Sequence, residues 1–141
     1  MSHTIMVVDD DPDDMEITRR ILARTRSDMI IRPVPRGEAA LALLRNSAEL
    51  PSLMLLDLKM PGMSGIDTLR RMREDEGLRH IPVIIVTNST LESDRNAALD
   101  AGADGFIHKD FDMDQFGRDM KSLLDRWLKE KQPPPSRTGA S

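Results

Sequence analysis

Five short apolar runs, each followed by a stretch that favours a helix, constrain the fold of this chain more strongly than any other feature. The runs occupy residues 4–8, 29–34, 53–56, 82–86 and 105–108, and no hairpin turn joins one run directly to the next. Strands that alternate with helices form parallel sheets, because each right-handed crossover returns the chain to the same end of the sheet. We therefore predict an α/β fold, a (βα)5 three-layer sandwich with helices on both faces of one parallel sheet.

The strand order follows from the second run, which contains Pro33 and is followed by Pro35. A proline cannot donate a hydrogen bond to a central ladder, so we place this strand at an edge of the sheet. That position fits the flavodoxin-like order 2-1-3-4-5, in which strands 1 and 3 are neighbours at the switch point. Open α/β folds place their chemistry at this point, outside the carboxyl ends of the strands.

Helix boundaries are indicated by side chains that accept hydrogen bonds from the first amides of a helix. The predicted N-caps are Asp11, Ser64, Thr90 and Asp112. Gly102 is predicted to follow the end of the fourth helix, in a left-handed conformation. The residues predicted to face inward from the first two helices are Met15, Ile17, Ile21, Leu22, Ala40, Leu41, Leu43 and Leu44.

Length and composition narrow the class of protein further. We predict one domain over residues 1–131 and a disordered tail over residues 132–141, which is rich in proline and small polar residues. The chain has no cysteine, so disulfides and thiolate metal sites are excluded, and a reducing, cytoplasmic location is expected. With a net charge of −4, no signal peptide, no membrane-length apolar run and no basic patch, we expect neither membrane nor nucleic-acid binding.

Polar side chains come at the ends of four predicted strands. Asp9 and Asp10 follow the first strand, Asp57 follows the third, Thr87 ends the fourth and Lys109 follows the fifth. Three carboxylates at neighbouring strand ends repel one another unless a cation or a proton joins them. Because all of these ligands are oxygen atoms, we expect a hard cation, Mg²⁺ or Mn²⁺.

This set of residues suits phosphoryl transfer. An ionised aspartate beside such a cation is a competent nucleophile toward phosphorus, and Asp57 has the central position. The transfer requires mainly charge neutralisation and alignment. The Lys109 ammonium would neutralise phosphoryl oxygens, while the Thr87 hydroxyl and the backbone amide of Asn88 would donate hydrogen bonds to them.

Four motifs together resemble the receiver domain of two-component response regulators, over essentially residues 4–131. They are VVDDD at 7–11, DLKMPGMSG at 57–65, VTNS at 86–89 and GFIHK at 105–109. The resemblance implies that Asp57 accepts a phosphoryl group from the phosphohistidine of a partner sensor histidine kinase. It implies a regulatory phosphoacceptor rather than an enzyme, with at most self-phosphorylation from small donors and auto-dephosphorylation.

The resemblance also implies roles for the other site residues. The implied Mg²⁺ ligands are Asp10, Asp57 and the backbone carbonyl of Lys59, with Asp9 helping through water. The implied phosphoryl contacts are Thr87 and Lys109. Phe106 would be the switch aromatic, which turns inward as Thr87 moves.

The chain departs from the usual receiver pattern near the site. Asp110 stands where many receivers have a proline, which leaves the conformation of that loop open and adds a negative charge. Asn88 occupies a position that is often smaller, so access to the phosphoryl group is expected to be narrower. Lys59 and Ser89 stand where their side chains can reach the attacking water, so we expect both to tune dephosphorylation.

No effector domain follows in this sequence, so we expect output through the surface of helix 4, strand 5 and helix 5, where receivers commonly dimerise. The candidates for contact with a homodimer copy or another partner are Met113, Phe116 and Trp127, although Phe116 fits a core position as well. Pro12, the Arg-Gly-Glu triplet at 36–38 and the long last helix favour the group paired with phytochrome-type kinases. We expect such a kinase to dock beside Asp57, on helix 1 and the loop after strand 5.

Three alternatives use the same fold or similar chemistry. A binding-only pseudo-receiver would lack the chemistry, yet the site residues are retained. A haloacid-dehalogenase-like phosphohydrolase also uses an aspartate nucleophile and Mg²⁺, but it needs a second acid where this chain has Lys59. A flavodoxin-like FMN carrier needs a hydroxyl-rich loop after strand 1, whereas this loop is acidic.

Overall fold

The computed structural model describes residues 3–26, 28–109 and 112–128, and in these ranges strands and helices alternate as the sequence predicts. The expectations for Asp110 and for the tail over 132–141 lie outside the described residues. The strands are β1 His3–Val8, β2 Met29–Val34, β3 Leu53–Leu56, β4 Val83–Thr87 and β5 Gly105–His108. The helices are α1 Pro12–Thr25, α2 Gly37–Arg45, α3 Gly65–Glu74, α4 Glu92–Asp100 and α5 Met113–Trp127. None of the described helices combines the length and the apolar character needed to cross a membrane.

The five strands form one parallel sheet in the order β2-β1-β3-β4-β5, which confirms the flavodoxin-like prediction. Among the described strands, β2 pairs with β1 alone, and Val7 lies opposite Pro33, so the proline lies in an edge strand as its missing amide hydrogen requires. Val8 lies opposite both Val34 and Leu56. The ends of the first three strands are therefore level with one another.

Two apolar clusters cover the two faces of the sheet, because successive strand residues point to opposite faces. Met6, Met54 and Ile85 point toward α2, α3 and α4, together with their neighbours on that face. Ile5 and Leu55 point toward α1 and α5. The central strands β3 and β4 are thus buried on both sides, whereas the edge strand β2 exposes Ile30, Arg32 and Pro33.

Three of the four predicted N-caps are confirmed. The Asp11 carboxylate accepts from the amides of Asp13 and Asp14, and Ser64 and Asp112 accept from amides in the first turns of α3 and α5. Gly102 follows α4 with a φ of 106°, in the left-handed region that favours glycine.

The predicted cap of α4 by Thr90 is wrong, because this helix begins one residue later than expected. Leu91 is the N-cap, and no side-chain cap hydrogen bond is found for it. The hydroxyl of Ser89 accepts from the amide of Leu91 at 3.2 Å and closes the turn before the helix. α4 therefore begins without the support that Asp112 gives α5.

Two residues predicted to face inward are exposed instead. Ile17 is 38% exposed and Leu43 is 44% exposed. Each lies roughly 100° around its helix from the centre of the buried face, at 3.6 residues per turn. Thr18 takes the inward place in α1 that the sequence pattern assigns to Ile17.

The amino end of the sheet is tied together by the guanidinium of Arg73, in the last turn of α3. It donates two hydrogen bonds to the carbonyl of Gly102, at 2.8 and 3.0 Å, and one to the carboxylate of Asp104 at 2.9 Å. It also donates to the carbonyls of Arg79 and Ile81 at 3.0 and 2.8 Å. One side chain thus joins the end of α4 to the segments that lead into β4 and β5.

Candidate functional site

The sheet brings the three predicted carboxylates together at its carboxyl end. One oxygen atom from each of Asp9, Asp10 and Asp57 lies within 4.8 Å of the others. The pairing of β1 with β3 causes this, because the amide of Asp57 donates to the carbonyl of Val8 at 3.0 Å and continues the ladder. A group of three carboxylate oxygens at this spacing matches the donors that a hard divalent cation prefers.

Lys109 reaches this group from the end of β5. Its amide donates to the carbonyl of Thr87 at 2.7 Å, which aligns it with the end of β4. Its Nζ lies 2.7 Å from Oδ2 of Asp9 and 4.0 Å from Oδ1 of Asp57. Asp9 is buried, and its other oxygen accepts from the amide of Asp11 at 3.0 Å. Lys109 is therefore the cation that balances the carboxylates in the described part of the chain.

Burial changes the ionisation of both partners. Removal from water, together with the nearby charges of Asp9 and Asp10, raises the pKa of Asp57 to about 6, although Lys109 acts in the opposite direction. Burial lowers the pKa of Lys109, but the hydrogen bond from its ammonium to Asp9 and the charge of Asp57 outweigh it and raise that pKa overall. A second cation beside Asp57 would keep its carboxylate ionised, as a nucleophile must be.

An open cleft of about 400 Å³ leads to Asp57. The cleft is lined by Asp10, Asp11, Asp14, Asp57, Lys59, Thr87, Asn88 and Ser89. The hydroxyl of Thr87 is buried and accepts from the amide of Ser89 at 3.2 Å. Every residue predicted to act on the phosphoryl group, apart from Phe106 and the deeper Lys109, thus faces one space.

Gly65 allows α3 to begin directly against the backbone of Asp57. A Cβ atom at this position would lie 2.1 Å from the carbonyl oxygen of Asp57. The amide of Gly65 donates to the carbonyl of Leu58 at 2.8 Å. Any larger residue would displace the helix or the loop that carries Asp57.

A family model of the response regulator receiver domain matches residues 5–121. This chain belongs to that family. The family is regulatory, and the site just described lies at the sheet end where the sequence resemblance places it.

Relatives cover nearly the whole of this receiver. The polar-differentiation response regulator DivK of Brucella ovis is 31% identical over 124 residues, which span 88% of this chain and 98% of DivK. The phosphorylated cyanobacterial phytochrome response regulator RcpA has a similar structure, with a TM-score of 0.84 and 27% identity over 95% of this chain and 99% of RcpA. The Mn²⁺-bound form of response regulator Rcp1 has a TM-score of 0.79 and 25% identity, over 94% of this chain and 99% of Rcp1.

Phe106 of this receiver lies in a second cleft beside the first. It is half-buried against the core, and the guanidinium of Arg95 lies 5.7 Å from the centre of its ring. Ser89 lines both clefts. The loop after β4 therefore connects the space around Asp57 with the surface between α4 and β5.

Lys59 and Ser89, on different loops, meet at a residue that the sequence reasoning missed. The Ser89 hydroxyl donates to Oδ2 of Asp94 at 2.5 Å, and the Nζ of Lys59 lies 3.5 Å from the same oxygen. The hydrogen bond from Ser89, with help from Lys59, lowers the pKa of Asp94. Both side chains predicted to tune dephosphorylation are thus held by the first turn of α4.

Asp14 is the second residue that the sequence reasoning missed. In sequence it is an acid in the predicted first turn of α1, where a negative charge complements the helix dipole. No local pattern marks its contact with the site, because α1 begins only at Pro12 and Lys109 follows a strand that is distant in sequence. In the structure it lines the cleft and contacts Lys109.

The three candidates for a partner surface on α5 differ in exposure. Phe116 is 1% exposed and belongs to the core beneath α1 and α5, so its core alternative is confirmed and its assignment to a contact surface is wrong. Met113 is exposed in the first turn of α5. Trp127 is half-buried, and its buried Nε1 has no hydrogen-bond partner among the described residues.

Proposed function

We propose that this receiver accepts a phosphoryl group on Asp57 from the phosphohistidine of a partner sensor histidine kinase, in a reaction that depends on Mg²⁺. The observation that carries the proposal is the grouping of Asp57 with two further carboxylates and the ammonium of Lys109 at the end of an open cleft. This grouping supplies a nucleophile, a cation site and a fixed positive charge, which are the parts that phosphoryl transfer needs.

In the proposed transfer, a carboxylate oxygen of Asp57 forms a bond to phosphorus while the phosphorus–nitrogen bond of the phosphohistidine breaks. The electron pair of the broken bond returns to the histidine nitrogen. The ring, protonated on its other nitrogen, then leaves as neutral imidazole. Lys109 faces the oxygens of the incoming group, and the hydroxyl of Thr87 and the amide of Asn88 are its proposed hydrogen-bond donors. Transfer of the same phosphoryl group to water, instead of to Asp57, would give inorganic phosphate.

The donor set fits Mg²⁺, or Mn²⁺ as bound in the related Rcp1. Asp10, Asp57 and the backbone carbonyl of Lys59 would hold the ion directly, and Asp9 would help through water. When bound, the ion would supply positive charge to the carboxylates and the phosphoryl oxygens.

We propose that Thr87 and Phe106 carry the signal to the surface of α4, β5 and α5. Thr87 ends β4 opposite His108, two residues after Phe106 in β5. Ser89 lines both the site cleft and the cleft that contains Phe106, which supports a connection between them. This surface, with Met113 and Trp127 at its margin, is also the proposed place for a homodimer. Light scattering of a monomer at tens of micromolar, with and without a phosphoryl mimic, would count against a homodimer.

A bacterial phytochrome is the proposed kinase class, because receivers described as phytochrome response regulators are among the similar structures. We propose that the kinase docks on α1 and the start of α5. Ile17 and Met113 are exposed there, and they border a pocket of about 140 Å³ that also includes Lys109. We also propose a cytoplasmic location, in agreement with a sequence without cysteine.

We propose that Lys59 and Ser89 set the lifetime of the aspartyl phosphate, since both are held near the cleft by Asp94. Replacing Lys59 by alanine should change the decay rate at least several-fold. Loss of a radiolabelled phosphoryl group over time measures this rate. A decay rate equal to that of the unmodified chain would refute the proposal.

Intact-mass spectrometry after incubation with acetyl phosphate and Mg²⁺ tests the central proposal. One phosphoryl group, about 80 Da, should appear on the wild type, be absent from Asp57→Asn, and fail to form when EDTA chelates the cation during the incubation. An adduct that persists in Asp57→Asn would place the acceptor elsewhere. If no adduct forms with acetyl phosphate or with a phosphorylated kinase, the chain is a binding-only module.

A further inference from the structure

We propose that Asp14 is a competing hydrogen-bond acceptor. It holds Lys109 and Asn88 in the unphosphorylated receiver and so slows the uptake of a phosphoryl group by Asp57. The proposal rests on the proposed function, because it concerns two of the residues assigned there to the phosphoryl group. It adds a residue that opposes the reaction to the residues that support it.

A single oxygen atom of Asp14 contacts both of those residues. Its Oδ2 accepts from Nζ of Lys109 at 3.1 Å and from Nδ2 of Asn88 at 3.4 Å. Asp14 also lines the cleft that leads to Asp57. A carboxylate oxygen therefore occupies donors that an oxygen of a phosphoryl group on Asp57 would need.

The fold fixes Asp14 in this place. It lies in the first turn of α1, where its amide donates to the capping carboxylate of Asp11 at 3.3 Å. Its side chain is 25% exposed, whereas Asp13, one residue earlier in the same turn, is exposed. Among the described residues, Asp13 has no hydrogen bond or ion pair through its side chain. The two neighbouring acids thus differ in their contacts with the site.

The distances around Lys109 favour Asp14 over Asp57. The ammonium has three hydrogens. Asp9 and Asp14 lie within hydrogen-bond distance at 2.7 and 3.1 Å, whereas Asp57 lies at 4.0 Å. A phosphoryl group on Asp57 must draw Lys109 toward itself, and Asp14 resists that movement. The Asp14 carboxylate also repels a dianionic phosphoryl donor as it enters the cleft.

A positioning role for Asp14 predicts the opposite experimental result. If Asp14 instead positioned Lys109 for the reaction, removal of its charge would slow phosphorylation. The competing role requires faster phosphorylation at low donor concentration. The direction of the change therefore separates the two roles.

The test compares Asp14→Asn, Asp14→Glu and the matched control Asp13→Asn in the full chain. Asp13→Asn removes one negative charge from the same helical turn without touching Lys109 or Asn88. Initial rates of phosphorylation at Asp57 are measured by intact mass over a range of acetyl phosphate concentrations, with Mg²⁺ saturating for each variant. Thermal unfolding of each variant shows that it is folded.

We expect Asp14→Asn to lower the half-saturating acetyl phosphate concentration about three- to fivefold, the upper part of the range that a partly exposed charge pair produces. Asp13→Asn should stay within about twofold of the wild type, a limit set by screened charge at the surface. Asp14→Glu restores the carboxylate and should return the value toward that of the wild type.

Each other outcome overturns the proposal in a recognisable way. A wild type that is phosphorylated at Asp57, with Asp14→Asn equal to it or slower, refutes the competing role and leaves the proposed function intact. An equal decrease of the half-saturating acetyl phosphate concentration in Asp14→Asn and Asp13→Asn would show that net charge causes the effect, and would refute the competing role. If neither the wild type nor any variant takes up a phosphoryl group, the proposed function fails and this inference fails with it.

Discussion

The face of the sheet covered by α1 and α5 is built almost wholly from apolar side chains, whereas the carboxyl end beside it gathers four acids around one lysine. The apolar face buries Ile21, Leu22, Phe116, Met120 and Leu124 almost completely. The charged end consists of Asp9, Asp10, Asp14, Asp57 and Lys109. We infer that the apolar face raises the free energy of unfolding, whereas the acids that the charged end needs for its chemistry lower it.

The largest effect should come from the apolar face. Leu124→Ala removes a side chain that is 0% exposed and should lower the free energy of unfolding by about 4 kcal/mol, through lost burial and a cavity. Leu99→Ala in α4 is the matched control, because that leucine is 42% exposed and should cost less than about 1 kcal/mol. Urea unfolding measures both, and equal losses would contradict burial as the source of the stability that the apolar face supplies.

Removal of the cation at the charged end should have the next largest effect. Lys109→Met leaves the buried Asp9 without its partner and should cost about 3 kcal/mol at neutral pH. Lys121→Met breaks an exposed pair with Asp125 and should cost at most about 0.5 kcal/mol. Added Mg²⁺ should narrow the stability difference between Lys109→Met and the wild type, and should leave the difference between Lys121→Met and the wild type unchanged.

Removal of an acid from the charged end should have the opposite sign. The pKa of Asp57 is raised from 3.8 to about 6 by burial, so folding opposes its ionised form. Asp57→Asn should therefore raise the free energy of unfolding at pH 7, by about 2 kcal/mol, which is less than the roughly 3 kcal/mol of the full shift because the open cleft leaves the carboxyl partly in water. Below pH 3.8 the wild-type carboxyl is neutral in both states and the gain disappears; it grows as the pH rises through 3.8 to about 6 and is constant above that.

The difference between Asp57→Asn and the wild type, followed by thermal unfolding from pH 3.5 to 8, isolates this group from the other acids. Mg²⁺ should reduce the difference, because the cation stabilises the wild type more than the variant. A variant less stable than the wild type at pH 7 without Mg²⁺ would contradict the view that the acids of this end lower the free energy of unfolding.

The smallest effect concerns the start of α5. Asp112→Ala removes the acceptor of the amides of Asp114 and Gln115 and should cost about 1 kcal/mol. Asp112→Asn keeps an oxygen acceptor and should differ from the wild type by only a few tenths of a kcal/mol. Chemical unfolding of the two variants distinguishes the loss of the cap from the loss of the charge.

The sequence predicts the fold because its signals are of two simple kinds. Helix caps act within a few residues, and a proline excludes its strand from the centre of a sheet. Pro33 alone places β2 at the edge, and the carboxylates that follow β1 and β3 then have to meet. The capping residues mark three helix starts for the same reason, since the acceptor and the amides it satisfies lie within three residues of each other.

What the sequence does not predict depends on how far one element rotates or reaches toward another. Ile17 and Phe116 are apolar residues at helical spacing, and only the packing of α1 against α5 decides which is buried. Asp14 and Asp94 are both typical acids of a first helical turn. Asp14 contacts Lys109 and Asp94 contacts Ser89. Both partners lie on other loops, so no local pattern encodes these contacts.

The hydrogen bonds from Arg73 fix one end of α4 more firmly than the other. Two hydrogen bonds hold the carbonyl of Gly102 at the far end of the helix, while Leu91 at the near end has no side-chain cap. Nine helical residues span about 13 Å, so a tilt of about 10° around the fixed end would displace the near end by about 2 Å. The near end is the one that carries Asp94, beside the site. A displacement of Ser89 would therefore move the end of α4 that it contacts, while the end held by Arg73 stays in place.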